Sequence, residues 1–260
     1  MKNKPVAFIQ RAFIICLVTL FLAACTSPKS PRILFIGNSY TYFNSGIDKQ
    51  LRGLAPHIAT SVIVVGGYTI RDQLNAGAAT QSIRQAHWDY VVLQEQSQTP
   101  VSDPQKFFEA VRDFDVEVRA SGAHTILLMT WERPDSVNYG VTTANLAAAY
   151  QKVGSELDIK VAPAGLAFAQ SLNERPDLIL YSQDGHPTLY GTYLAACVLY
   201  GTIFAESSVG NPNSDRSISP EIRDYLQGIA ALNIQNPTGK LKPAACTKIQ
   251  VFTRTNVSKC

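Results

Sequence analysis

Arg32-Ile33-Leu34-Phe35-Ile36-Gly37-Asn38-Ser39-Tyr40-Thr41 is the stretch from which the rest of the chain can be read. The apolar run 33–36 has the length of a buried strand and is closed by turn residues. Gly37 and Asn38 end it, because both tolerate the backbone of a tight turn. Ser39 follows immediately. A hydroxyl at the carboxyl end of a buried parallel strand lies where open α/β sheets bind their ligands. Taken alone, Ser39 reads equally well as a helix-capping serine.

Downstream the pattern repeats. Residues 61–65, 88–94, 125–130 and 159–162 are further strand-like runs. Helical stretches fall at 47–54, 69–75, 80–86, 104–120, 141–157, 166–172, 187–205 and 220–232. In 104–120, Phe107, Phe108, Val111 and Phe114 share one face. Near-continuous hydrophobic strands alternating with helices predict a parallel sheet covered on both faces. The expected fold is a single doubly wound, flavodoxin-like α/β/α sandwich with a five-stranded, mainly parallel sheet, over residues 32–235. Residues 236–260 form a less regular C-terminal extension. Within it, residues 249–252 alternate weakly, as an added edge strand would.

The 260 residues are 46% hydrophobic and 17% charged, a globular balance that argues against disorder. Residues 1–24 stand apart. Lys2, Lys4 and Arg11 precede the 13-residue apolar run 12–24, which is too short to span a bilayer and matches a secretory h-region. The run ends Leu22-Ala23-Ala24-Cys25, which resembles the lipobox of bacterial lipoproteins and implies cleavage before a lipidated Cys25. Residues 25–31 would then be a tether, and the protein would be anchored in the cell envelope on its periplasmic or surface face. Loss of residues 1–24 would leave 20 basic and 20 acidic residues, with no surplus of charge to attract nucleic acid. Cys197 lies in an apolar helical pattern and reads as a core residue. Cys246 and Cys260 bracket the last strand-like segment and are candidates for a disulfide in an oxidising compartment. No spacing resembles a zinc site.

Catalysis by a serine needs a base within hydrogen-bond reach and donors aimed at the developing oxyanion. Of the four histidines, His57 lies in a surface-like segment, and His87 and His124 precede strands at the end opposite Ser39. His186 alone sits in a turn before a helix, late in the chain. Asp184 stands two residues before it and could orient its ring.

With these blocks the chain resembles the SGNH/GDSL hydrolase superfamily over about residues 32–205. Gly37-Asn38-Ser39 stands where that superfamily has Gly-Asp-Ser. Gly67-Tyr68-Thr69 looks like its Gly-x-Thr, which implies Gly67 N–H beside Ser39 N–H in an oxyanion hole. Asp184, His186, Pro187 and Thr188 resemble its final block. Two departures stand out. The third block has no Asn after the strand, and the resemblance puts Gln94 forward as the replacing donor, with Gln98 second. The acid–base spacing is Asp-x-His rather than Asp-x-x-His, and Gln183 occupies the usual acid position. Tyr40, Tyr68 and Trp131 are expected at the pocket, with Glu132 as a reserve carboxylate. The resemblance implies a serine esterase, needing no metal or organic cofactor, that acts on an ester-bearing small molecule or glycan. O-acetylated carbohydrate is the preferred class. The alternative is a non-catalytic glycan-binding lipoprotein that keeps the fold.

Overall fold

The computed structural model describes residues 30–235. The expected signal peptide, Cys25, the candidate Cys246–Cys260 disulfide and the strand expected at 249–252 lie outside the described residues. The elements run β1 (Arg32–Gly37), α1 (Ser39–Tyr42), α2 (Ile47–Leu54), β2 (Ala59–Val64), α3 (Ile70–Ala76), α4 (Ala78–Gln85), β3 (Tyr90–Gln94), α5 (Thr99–Ser102), α6 (Pro104–Ala120) and β4 (His124–Leu128). Then come a 3-10 turn (Ser136–Tyr139), α7 (Thr143–Leu157), β5 (Lys160–Ala162), α8 (Ala164–Glu174), α9 (Leu189–Phe204) and α10 (Pro220–Gln235).

All five strands are parallel, in the order β2-β1-β3-β4-β5. Side chains alternate across a strand, so β1 feeds two cores. Ile33 and Phe35 pack with α2, α8, α9 and α10. Leu34 and Ile36 pack on the other face with α3, α4, α6 and α7. Burial of both faces explains why the central strands carry no polar alternation. The edge strand β2 is only half covered. The short elements α5 and the 3-10 turn were not anticipated, because four residues are too few to show a hydrophobic period. Cys197 is fully buried in α9, and burial pushes its thiol up to about 12.

This strand order reverses direction between β1 and β3. In open α/β sheets the ligand crevice opens at that switch point, outside the carboxyl ends of the strands. The loops that leave β1, β2 and β3 there carry Ser39, Gly67 and Gln96.

Candidate active site

The turn that carries Ser39 is built by the strand end beneath it. Asn38 is the cap of α1, and its Oδ1 accepts from Tyr40 N–H at 3.1 Å. Its Nδ2 donates to the Tyr68 carbonyl at 2.8 Å, which ties the β1 loop to the β2 loop. Gln94, at the end of β3, accepts Asn38 N–H at 3.0 Å and the Thr41 hydroxyl at 2.9 Å on its Oε1. Gln73 donates to the Gly37 carbonyl at 2.6 Å. A side chain at Gly37 would meet Gln94 Oε1 at 2.6 Å and Thr41 Oγ1 at 2.7 Å, so this position requires glycine.

His186 arrives on the turn between α8 and α9. Ser182 N–H donates to the His186 carbonyl at 2.9 Å and Gly185 N–H to the Ser182 carbonyl at 2.8 Å. Gly185 has φ +84°, and a Cβ there would meet the Tyr40 hydroxyl at 2.4 Å. This tight turn explains how Asp184 reaches the ring from only two residues away. Asp184 Oδ2 lies 2.8 Å from His186 Nδ1, and His186 Nε2 lies 2.9 Å from Ser39 Oγ. Hydrogen bonds from the Ser182 hydroxyl and then from His186 hold the Asp184 carboxyl well below the usual carboxylate range. The Asp184 side chain is 66% exposed, so water also favours its ionised form. Phe43 stacks on the imidazole at 3.9 Å between ring centres, which fixes the ring plane.

These residues open on a cleft of about 450 Å³ whose walls include Ser39, Gly66, Gly67, Gln96, Ser97, Arg133 and His186. Ser39 N–H and Gly67 N–H have no protein acceptor among the described residues. Gly67 takes φ +75°, a left-handed backbone that glycine adopts without strain. Gln96 also lines the cleft, with its Nε2 3.4 Å from Ser97 Oγ. Its Oε1 accepts Gln98 N–H at 2.8 Å, Thr99 N–H at 3.1 Å and the Thr99 hydroxyl at 3.2 Å. Three donors on one oxygen identify the other end of the amide as NH₂. Among the described residues, no group of three or more His, Cys, Asp or Glu is arranged to hold a metal ion.

Several expected pocket residues lie elsewhere. Gln94 is 1% exposed, and its NH₂ donates to the Glu95 carbonyl. It supports the Ser39 turn from below and offers no donor to the cleft. Gln98 is the cap residue before α5, its carbonyl accepting from Val101 and Ser102, and it does not line the cleft. Trp131 is 1% exposed, sandwiched between Tyr40 at 4.7 Å and Phe168 at 4.1 Å. Its indole N–H donates to the Gly185 carbonyl at 3.0 Å, so it holds the histidine turn from within the core. Tyr68 contributes its carbonyl to Asn38 and is not a wall residue. Glu132 accepts Thr143 N–H at 2.7 Å and caps α7. Tyr40 does line the cleft. No motif in the sequence singles out Gln96, Phe43 or Arg133, which the structure places at the cleft. The end of β3 at Gln94 was the available signal for Gln96, because residues that line a crevice follow the strand rather than end it.

No protein-family model matches the sequence, and no curated protein does. Solved structures do match. An SGNH hydrolase candidate from Slackia heliotrinireducens is 28% identical, with a TM-score of 0.60 over 67% of this chain and 99% of its own. A DUF4886 family protein from Bacteroides uniformis superposes with a TM-score of 0.66 at 17% identity, over 80% of this chain and 96% of its own. A mutant of the Geobacillus acetyl-xylooligosaccharide esterase Axe2 shares the fold at 17% identity and a TM-score of 0.51, over 70% of this chain and 96% of its own. By sheet order, by the blocks at the sheet's carboxyl edge and by these likenesses, the chain is a relative of the SGNH/GDSL hydrolase superfamily.

Proposed function

We propose that the protein is a serine esterase that removes acyl groups, with O-acetyl groups on carbohydrate as its preferred substrates, and that it works in the cell envelope anchored by lipid on Cys25. The observation that carries this reading is the continuous line from Asp184 Oδ2 through the His186 ring to Ser39 Oγ, beside two free N–H groups in one open cleft.

In this mechanism His186 Nε2 takes the Ser39 proton as Ser39 Oγ attacks the ester carbonyl carbon. The carbonyl oxygen becomes an oxyanion held by Ser39 N–H, Gly67 N–H and the Gln96 amide. Such donors stabilise the transition state because they are already aimed where the charge develops. Collapse expels the alcohol, which takes the proton from His186, and leaves an acyl-Ser39. A water, deprotonated by His186, then attacks the acyl carbon and regenerates the serine. Asp184 fixes the Nδ1–H tautomer and stabilises the imidazolium. The carbohydrate preference draws on the expected export, on the openness of the cleft, and on the substrate class named for the Geobacillus enzyme of the same fold.

Acetate release from acetylated xylo-oligosaccharides and from a simple aryl acetate tests the proposal. The expected result is turnover on both that Ser39→Ala abolishes. Turnover on neither by folded protein would contradict the esterase reading, and turnover on the aryl ester alone would contradict the carbohydrate preference.

A further inference from the structure

Glu95 is a carboxylate that the mechanism above does not use. It is 1% exposed and lies directly behind the cleft wall. Its Oε1 accepts Gln96 N–H at 2.6 Å and Ile70 N–H at 3.2 Å, and its Oε2 lies 3.4 Å from the same Ile70 nitrogen. Gln96 lines the cleft and is the side-chain oxyanion donor of the proposed mechanism. Ile70 begins the helix that follows Gly67. One carboxylate therefore clamps together the loops that leave β2 and β3.

We propose that Glu95 is a positioning residue for the esterase reaction, whose ionised carboxylate holds the Gly67 and Gln96 donors in register. This rests on the esterase reading of the same cleft. A carboxylate accepts N–H bonds more strongly than a neutral carboxyl does, so protonation loosens the clamp. The groups that face Glu95 are Asp72 on α3, Lys106 on α6 and Tyr150 on α7. Lys106 lies 4.0 Å from Asp72, so these two charges largely offset one another at Glu95. Burial pushes the carboxyl up to about 7, against the lowering effect of its two N–H bonds. The clamp thus engages across the neutral range, with cleft geometry and proton binding linked.

The test is the rate of Ser39 labelling by a fluorophosphonate as a function of pH, in the wild type and in Glu95→Gln, which mimics the protonated carboxyl. Loss of the Glu95 proton adds one unit to the slope of the acid limb of log rate against pH in the wild type. In Glu95→Gln that unit is lost and the plateau drops about tenfold, as expected for loss of a charged hydrogen-bond acceptor. The amide resonances of Ile70 and Gln96 provide the second readout. They titrate together near neutrality in the wild type and stay fixed in Glu95→Gln. The same acid-limb slope in both proteins, or stationary amides in the wild type, overturns the proposal. A wild-type protein that is not labelled at any pH overturns the esterase reading, and the positioning role with it.

Discussion

Asp184 and His186 are two residues apart, and the geometry that makes this spacing workable is local. Gly185 turns the chain at φ +84°, so the carboxylate folds back onto Nδ1. The carboxylate is exposed, and its pairing is screened by water. We therefore expect Asp184→Asn to lower kcat/KM by about 10- to 10³-fold, well short of the loss on His186→Ala, in steady-state assays. Gly185→Ala should do comparable damage, since its Cβ would strike the Tyr40 hydroxyl. Ser39, His186 and Asp184 could be found in the sequence because each stands in a short block whose residue types are chemically distinctive. Gln94 misled for a physical reason: a glutamine at a strand end can face the cleft or the core, and only the partners Asn38 and Thr41 decide between them. Trp131 likewise resembles a rim residue until Phe168 and Tyr40 are seen to enclose it.

At the scale of elements, the cleft is assembled from loops that distant parts of the fold hold in place. Trp131 follows β4, yet its indole N–H fixes the turn that carries His186. Trp131→Phe keeps most of the stacking and removes that bond, leaving the Gly185 carbonyl buried and unpaired. Its cost should be about 1–3 kcal/mol, seen in denaturant unfolding, with a fall in kcat larger than any change in KM. Gly191, near the start of α9, approaches the Leu180 carbonyl so closely that a Cβ would lie 2.1 Å from it. Gly191→Ala should therefore push α9 away from the histidine turn and lower the thermal midpoint. The strands and long helices were legible because burial on both faces of the sheet makes their hydrophobic runs continuous. The positions of α5 and the 3-10 turn were not, because tertiary contacts rather than local periodicity define them. Capping sets the start of α9: Thr188 accepts Gly191 N–H, so the helix begins at Leu189 rather than at Pro187.

For the molecule as a whole, the buried Glu95 links folding to pH. Its carboxyl binds a proton more tightly in the folded state, at about 7 against about 4.5 when unfolded. Its stabilising contribution is therefore fully present below about pH 4.5 and is lost as pH rises through about 7. The difference is about 3 kcal/mol. Glu95→Gln should accordingly raise the unfolding free energy above neutrality even as it slows the reaction, a trade expected where a strained group serves a site. Asp184 works in the opposite sense, since its lowered value adds stability above the ordinary carboxylate range that is lost on acidification. The most direct test of the central claim is covalent. The fragment from Thr26 onward is treated with a fluorophosphonate, and the adduct is located by peptide mass. The account predicts a single adduct on Ser39, absent from both Ser39→Ala and His186→Ala. Folded wild-type protein without an adduct on Ser39, or with one that survives His186→Ala unchanged, would contradict it.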